Sequence, residues 1–84
     1  MIEMYIKPTC PYCVEAKALL EKKGQVIQFY DITNNPTLRA EMLERAQRHT
    51  VPQIFINNSH VGGCDDLMLL EDKGKLDTLL TLEK

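Results

Sequence analysis

Apolar residues at Ile2, Met4 and Ile6 alternate with Glu3 and Tyr5, a period-two pattern that predicts a strand. The period then changes. Pro11 to Lys23 reads as a helix, with Ala16, Leu19 and Leu20 on its core side. Lys22 and Lys23 suit its negative end, and Gly24 suits the position just past it. Val26 to Ile32 is β-branched and aromatic, which predicts a second strand. Asn35-Pro36 is an N-cap followed by a proline at the first helical position. The helix it opens carries Leu38, Met42 and Ala46 on one stripe. Gln53 to Ile56 predicts a third strand, Asn57-Asn58-Ser59 a turn, and His60 to Gly62 a short fourth strand. Asp65 to Lys73 predicts a helix stopped at Gly74, and Leu76 to Leu82 a last short helix.

The order is β-α-β-α-β-β-α with an extra C-terminal helix. The first β-α-β unit predicts a right-handed crossover between parallel strands, and the later pair an antiparallel hairpin. The fold class is therefore α/β: a four-stranded mixed sheet with helices on both faces. Eighty-four residues make one small domain, residues 1–84. A chain of this size buries roughly 60% of its unfolded surface, enough for a core without metals or cross-links.

Composition narrows the function classes. A net charge of −2 gives no footing for nucleic acid, and no apolar run approaches a membrane span. Met1-Ile2-Glu3-Met4 lacks the basic start and long apolar stretch of a secretory signal, so the expected place is the cytoplasm. Thiols are mostly kept reduced there, and a close cysteine pair is then catalytic rather than structural. The cysteines number three, so one lies outside any single intramolecular disulfide.

Cys10-Pro11-Tyr12-Cys13 carries the chemistry. This CxxC follows a predicted strand and opens a predicted helix, the context of a thiol–disulfide redox site. Pro11 suits the first helical position, which puts Cys10 at or near the N-cap. Free backbone N–H groups and the positive end of the helix dipole meet there and favour an anion. The thiolate is the species that attacks disulfides. The same spacing could be half a zinc site, but Cys64 stands alone and His49 and His60 have no metal-like spacing. No metal is expected.

Other residues admit two readings each. Lys7 could favour the thiolate and attract a carboxylate, or be a solvated surface lysine. Tyr12 could flank a bound peptide or fill space. Thr50-Val51-Pro52 precedes a strand, where a trans proline is the ordinary case. Gly62-Gly63 lets the backbone approach a ligand closely. The N–H groups of Cys64 and Asp65 would then offer a carboxylate site, and Asp66 could pair with an ammonium group. The plain alternative is N-capping by Asp65. Cys64 is expected to have no catalytic role, and His49 and His60 to be filler.

Taken together, Cys10-Pro11-Tyr12-Cys13, Thr50-Val51-Pro52 and Gly62-Gly63-Cys64-Asp65-Asp66-Leu67, in this order on this frame, resemble a glutaredoxin of the small bacterial dithiol type. The resemblance spans nearly the whole chain and implies the thioredoxin fold. It implies an enzyme that reduces protein disulfides and glutathione mixed disulfides, serves as electron donor to reductive enzymes and maintains cell redox homeostasis. Cys10 resembles the nucleophile and Cys13 the resolving thiol. Lys7 and Tyr12 resemble groups lining a glutathione groove, with Thr50 beside it. Pro52 resembles a cis-proline, and Val51 the residue whose backbone pairs with the glutathione cysteine. Gly63, Cys64, Asp65 and Asp66 resemble the helix start that holds the γ-glutamyl end. Arg39 lies where the family often has Gln or Arg near the glycyl carboxylate. The implied co-substrate is glutathione, with no tightly bound cofactor. The implied partners are disulfide-bonded or glutathionylated proteins and, through glutathione, glutathione reductase, and the expected state is a monomer. A thioredoxin-like redoxin recharged by a flavoprotein would share CxxC but need no glutathione groove. An iron–sulfur carrier of the monothiol kind would lack Cys13.

Overall fold

The computed structural model describes residues 1–81. Eight elements follow one another: β1 (Ile2–Ile6), α1 (Pro11–Lys22), β2 (Ile27–Asp31), α2 (Pro36–Ala46), β3 (Gln53–Ile56), β4 (Ser59–Gly62), α3 (Cys64–Asp72) and α4 (Leu76–Thr81). They form a four-stranded sheet in the order β2-β1-β3-β4. β1 pairs with β2 in parallel, and the β1–β3 and β3–β4 pairs are antiparallel. This is the mixed sheet that the sequence predicts. Leu82 of the predicted last helix lies outside the described residues.

Strand alternation divides the core between the two faces of the sheet. Ile2, Met4, Ile54 and Ile56 pack with Ala16 and Leu20 of α1, Leu67 of α3, and Leu76 and Leu80 of α4. Tyr5 and Phe55 face the other way, onto Met42 and Ala46 of α2. Beside that second cluster lies an ionic network. Arg45 of α2 donates to both carboxylate oxygens of Glu3 at 3.0 and 3.2 Å and to the Tyr5 hydroxyl at 2.9 Å. Its guanidinium lies 4.0 Å above the Phe55 ring. Tyr5 donates in turn to Glu41, and Tyr30 to Glu3 at 3.0 Å.

Element boundaries differ from the predicted ones where register overrides propensity. Val26 lies outside β2 and is 89% exposed. β1 begins at Ile2, which pairs with Ile27, so Val26 has no partner in register. Ile32 follows β2, yet it is fully buried, and its N–H donates to Ile6 at 3.0 Å. α1 ends one residue early, at Lys22. Gly24, at φ 78°, closes it, donating to the Glu21 carbonyl at 2.9 Å while Gln25 donates to Leu20 at 3.1 Å. That pair of bonds is a Schellman stop, which needs a left-handed residue where glycine stands. The hairpin turns on Asn57 and Asn58, both left-handed (φ 52° and 68°). This is the asparagine-tolerant geometry of a two-residue hairpin loop. α3 starts at Cys64 with Gly63 as its N-cap, not at Asp65. Capping by Asp65 is thereby overturned, because Asp66 supplies the side-chain acceptor for the Gly63 N–H at 2.9 Å. The Val51–Pro52 peptide bond is cis.

Candidate active site

β1 is an interior strand, paired on both edges, and its carboxyl end delivers the chain to the cysteine loop. The Cys10 N–H donates to the Lys7 carbonyl at 3.0 Å, which folds residues 7–10 into a turn. Cys10 is the N-cap of α1, with extended backbone (φ −86°, ψ 116°), and Pro11 takes the first helical position. The Cys10 carbonyl accepts from Cys13 at 3.1 Å and Val14 at 3.2 Å, while its side chain makes no capping bond. The sulfur is therefore spared from capping. It is half-buried, and the thiol donates to the Val51 carbonyl at 3.7 Å. Cys10 thus rests against the Thr50–Pro52 loop that precedes β3.

Cys13, one turn inside α1, is only 4% exposed. Burial, more than a neighbouring hydrogen bond to the Lys7 backbone opposes it, pushes its thiol up to about 12. All three cysteines are free thiols. The two sulfurs of the pair are thus unequal, one accessible and one sequestered.

A cavity of about 200 Å³ adjoins the Val51 loop. Tyr12 of α1 walls one side, Thr50, Val51 and Pro52 a second, and Gly63 to Asp66 of the α3 start a third. Eight of the predicted groove residues therefore meet in one place. Lys7 lies apart from them, in a second cavity of about 240 Å³ that it shares with Cys13, Lys17 and Phe29. Arg39 is exposed on α2 and lines neither cavity.

Arg48 lines the first cavity, a residue that sequence reasoning passed over. Its Nη1 donates to Asp66 Oδ2 at 2.9 Å. The Gly63 N–H and then the Arg48 guanidinium hold the Asp66 carboxyl below its usual range. The available signal was position: Arg48 stands two residues before Thr50, in the short polar link between α2 and β3. Gln47, left-handed at φ 59°, ends α2 just before it.

Gln53 and His60 also exceed their expected roles. Gln53 is completely buried, and its amide donates to the Thr50 carbonyl at 3.0 Å and the Thr50 hydroxyl at 3.2 Å. Its Oε1 lies 2.7 Å from His60 Nε2, so that nitrogen carries the proton. This chain ties β4 through β3 to the loop on which Cys10 rests. Burial, followed by the charge of Arg48, lowers the basicity of His60. Cys64 is buried, and its thiol donates to Glu15 at 3.4 Å. Burial, reinforced by Glu15, pushes it up to about 11. Among the described residues, no group of three or more His, Cys, Asp or Glu could hold a metal ion.

Residues 2–61 match the glutaredoxin sequence family. The chain belongs to the glutaredoxin family. It is similar to glutaredoxin 3 of Escherichia coli (strain K12), 54% identical over 79 residues that cover 94% of this chain and 95% of that one. The solution structure of glutaredoxin from Brucella melitensis is 58% identical, covers 94% of this chain and 86% of its own, and superposes with a TM-score of 0.82. A buckwheat glutaredoxin–glutathione complex is 31% identical, covers 95% and 76%, and has a TM-score of 0.87. The fold is thus the thioredoxin-like fold of glutaredoxins. As a glutaredoxin the chain is an enzyme, a glutathione-dependent thiol–disulfide oxidoreductase. Among its described residues, no helix is long and apolar enough to cross a membrane.

Proposed function

We propose that this glutaredoxin works by the dithiol route of the small bacterial type, with Cys10 as nucleophile and Cys13 as resolving thiol. The observation that carries the reading is the asymmetry of the pair. Cys10 is a half-buried helix N-cap with its sulfur on the Val51 carbonyl, whereas Cys13 is buried one turn below. Cys10 thiolate attacks a sulfur of the substrate disulfide. A bond forms between the two sulfurs, and the partner sulfur leaves as thiolate. With a glutathionylated protein, the glutathione moiety passes to Cys10 and the protein thiol is freed. A second glutathione then attacks that adduct, releasing glutathione disulfide and regenerating Cys10. With a protein disulfide, Cys13 attacks the Cys10–protein bond and leaves a Cys10–Cys13 disulfide, which two glutathione molecules reduce.

Glutathione fits the cavity by chemistry. The Val51 backbone offers a strand-like edge to its cysteine residue. The first N–H groups of α3, at Cys64 and Asp65, suit a carboxylate, and Asp66 suits an ammonium. Tyr12, Thr50, Pro52 and Gly63 shape the walls. Lys7, beside Cys13, and Arg39, further off on α2, are proposed for the glycyl carboxylate. Glutathione then acts as co-substrate rather than resident cofactor, and glutathione reductase acts on the protein only through it. Disulfide-bonded and glutathionylated proteins are the partners, among them reductive enzymes that draw electrons from the pair. We take the chain as one domain over residues 1–84, acting as a cytoplasmic monomer.

A coupled assay tests the reading. With NADPH, glutathione and glutathione reductase, the protein should reduce a glutathionylated substrate. With NADPH and thioredoxin reductase alone it should not. Turnover under the second condition and not the first would overturn the glutathione route.

A further inference from the structure

The Arg48–Asp66 ion pair lines the cavity, and its two side chains are 48% and 42% exposed. Both Arg48 and the Gly63 N–H use the Oδ2 atom of Asp66. Oδ1 has no hydrogen-bond partner among the described residues. Among the described residues, Arg48 is the only cation lining the cavity, against two carboxylates, Asp65 and Asp66. An α-amino-acid head group carries an ammonium and a carboxylate on one carbon. Its ammonium has a free acceptor in Asp66 Oδ1. Its carboxylate, however, would face two acidic side chains with only the α3 start and Arg48 to offset them.

We propose that Arg48 is a specificity residue for the zwitterionic end of the ligand. In the free protein its guanidinium holds Asp66, and on binding it also takes the α-carboxylate of the γ-glutamyl group. Arginine suits this double contact, because its planar fork presents several donors at once. The pair then reads both charges of the head group together, and a ligand lacking either charge loses a partner. This inference rests on the placement of the γ-glutamyl end in this cavity.

Three mixed disulfides with the same thiol partner test it: one made with glutathione, one with an analogue lacking the α-carboxylate, and one with an analogue lacking the α-amino group. Arg48→Gln should raise KM for the glutathione compound on the order of 5-fold with kcat unchanged, as expected for loss of a partly exposed charged contact. The analogue lacking the carboxylate should show no such rise, and Arg48→Lys should recover part of the loss. Asp66→Asn should weaken the glutathione compound more than the analogue lacking the amino group. An equal KM rise for all three compounds in Arg48→Gln, or a fall, would overturn the role of Arg48. If Asp66→Asn discriminates and Arg48→Gln does not, the placement of the γ-glutamyl end stands and the inference fails. If neither variant discriminates, that placement fails and the inference with it.

Discussion

The thiol of Cys10 donates to the backbone carbonyl of Val51 at 3.7 Å, across 41 positions of sequence. One contact therefore joins Cys10, the N-cap of α1, to the loop that precedes β3. Two variants separate the roles proposed for Cys10 and Cys13. Cys10→Ser should abolish reduction of both glutathione mixed disulfides and protein disulfides. Cys13→Ser should keep most turnover of small glutathione mixed disulfides and lose most reduction of protein disulfides, because glutathione resolves only the former well. Steady-state rates on the two substrate types check this, and equal loss of both in Cys13→Ser would contradict it.

Alkali should unfold the protein earlier than its net charge suggests. Burial raises Cys13 to about 12 from an ordinary 9.0, and Cys64 to about 11 from the same value. Burial and Glu41 raise Tyr5 to about 12 from 10.0. The native state thus holds these protons more tightly than the unfolded chain. Their contribution is full below pH 9 and is lost as pH climbs through 11 to 12. Denaturant melts from pH 8 to 12 should show falling stability, with a shallower fall in Tyr5→Phe. A flat profile across that window would refute the argument.

At the acid end the sign reverses. The Arg45 hydrogen bond, working against burial, lowers Glu3 below its ordinary 4.5. The stability it adds is present above that value and is lost as pH falls through the lower folded one. Both partners are largely covered, with side chains 25% and 13% exposed. Arg45→Leu would strand the Glu3 charge and should cost about 2–3 kcal/mol at neutral pH. Urea titration measures it. Glu3→Gln should remove part of the loss of stability that sets in as pH falls below 4.5.

Lys7→Glu should raise KM for glutathionylated substrate several-fold with a smaller change in kcat, since it removes binding rather than chemistry. Added salt should produce part of the same rise in the unaltered protein, because an ion pair to the partly exposed Lys7 is screened. An unchanged KM at low salt would leave Lys7 as the lining of the Cys13 cavity and nothing more.

Periodicity and punctuation made the fold legible. Ile2, Met4 and Ile6 announce a strand, Asn35-Pro36 marks the start of α2, and Gly24 marks the stop of α1 to within one residue. Val26 and Ile32 were misjudged at the ends of β2 because pairing register, set by β1, decides where a strand stops. The place of the cysteine pair at the start of α1 was legible because Pro11 suits the first helical position, whereas the start of α3 was not, because Gly63 and not Asp65 is its N-cap. Arg48, Gln53 and His60 were not, because each acts across the chain. Arg48 meets Asp66 18 positions away, and His60 reaches Gln53 across a hairpin. No local pattern encodes such meetings, and a lone arginine or glutamine reads as surface until its partner is known.

Gly62 has a wider consequence. It is left-handed at φ 121°, and a Cβ placed there would stand 2.2 Å from Asp66 Oδ2. The carboxylate that caps α3 and meets Arg48 therefore occupies the space where any other residue would carry its side chain. The two positions are one mutational unit. Drift at residue 62 would rewrite the charge reading of the cavity without touching a charged residue, and any re-engineering of ligand preference through Asp66 inherits a backbone that only glycine can supply.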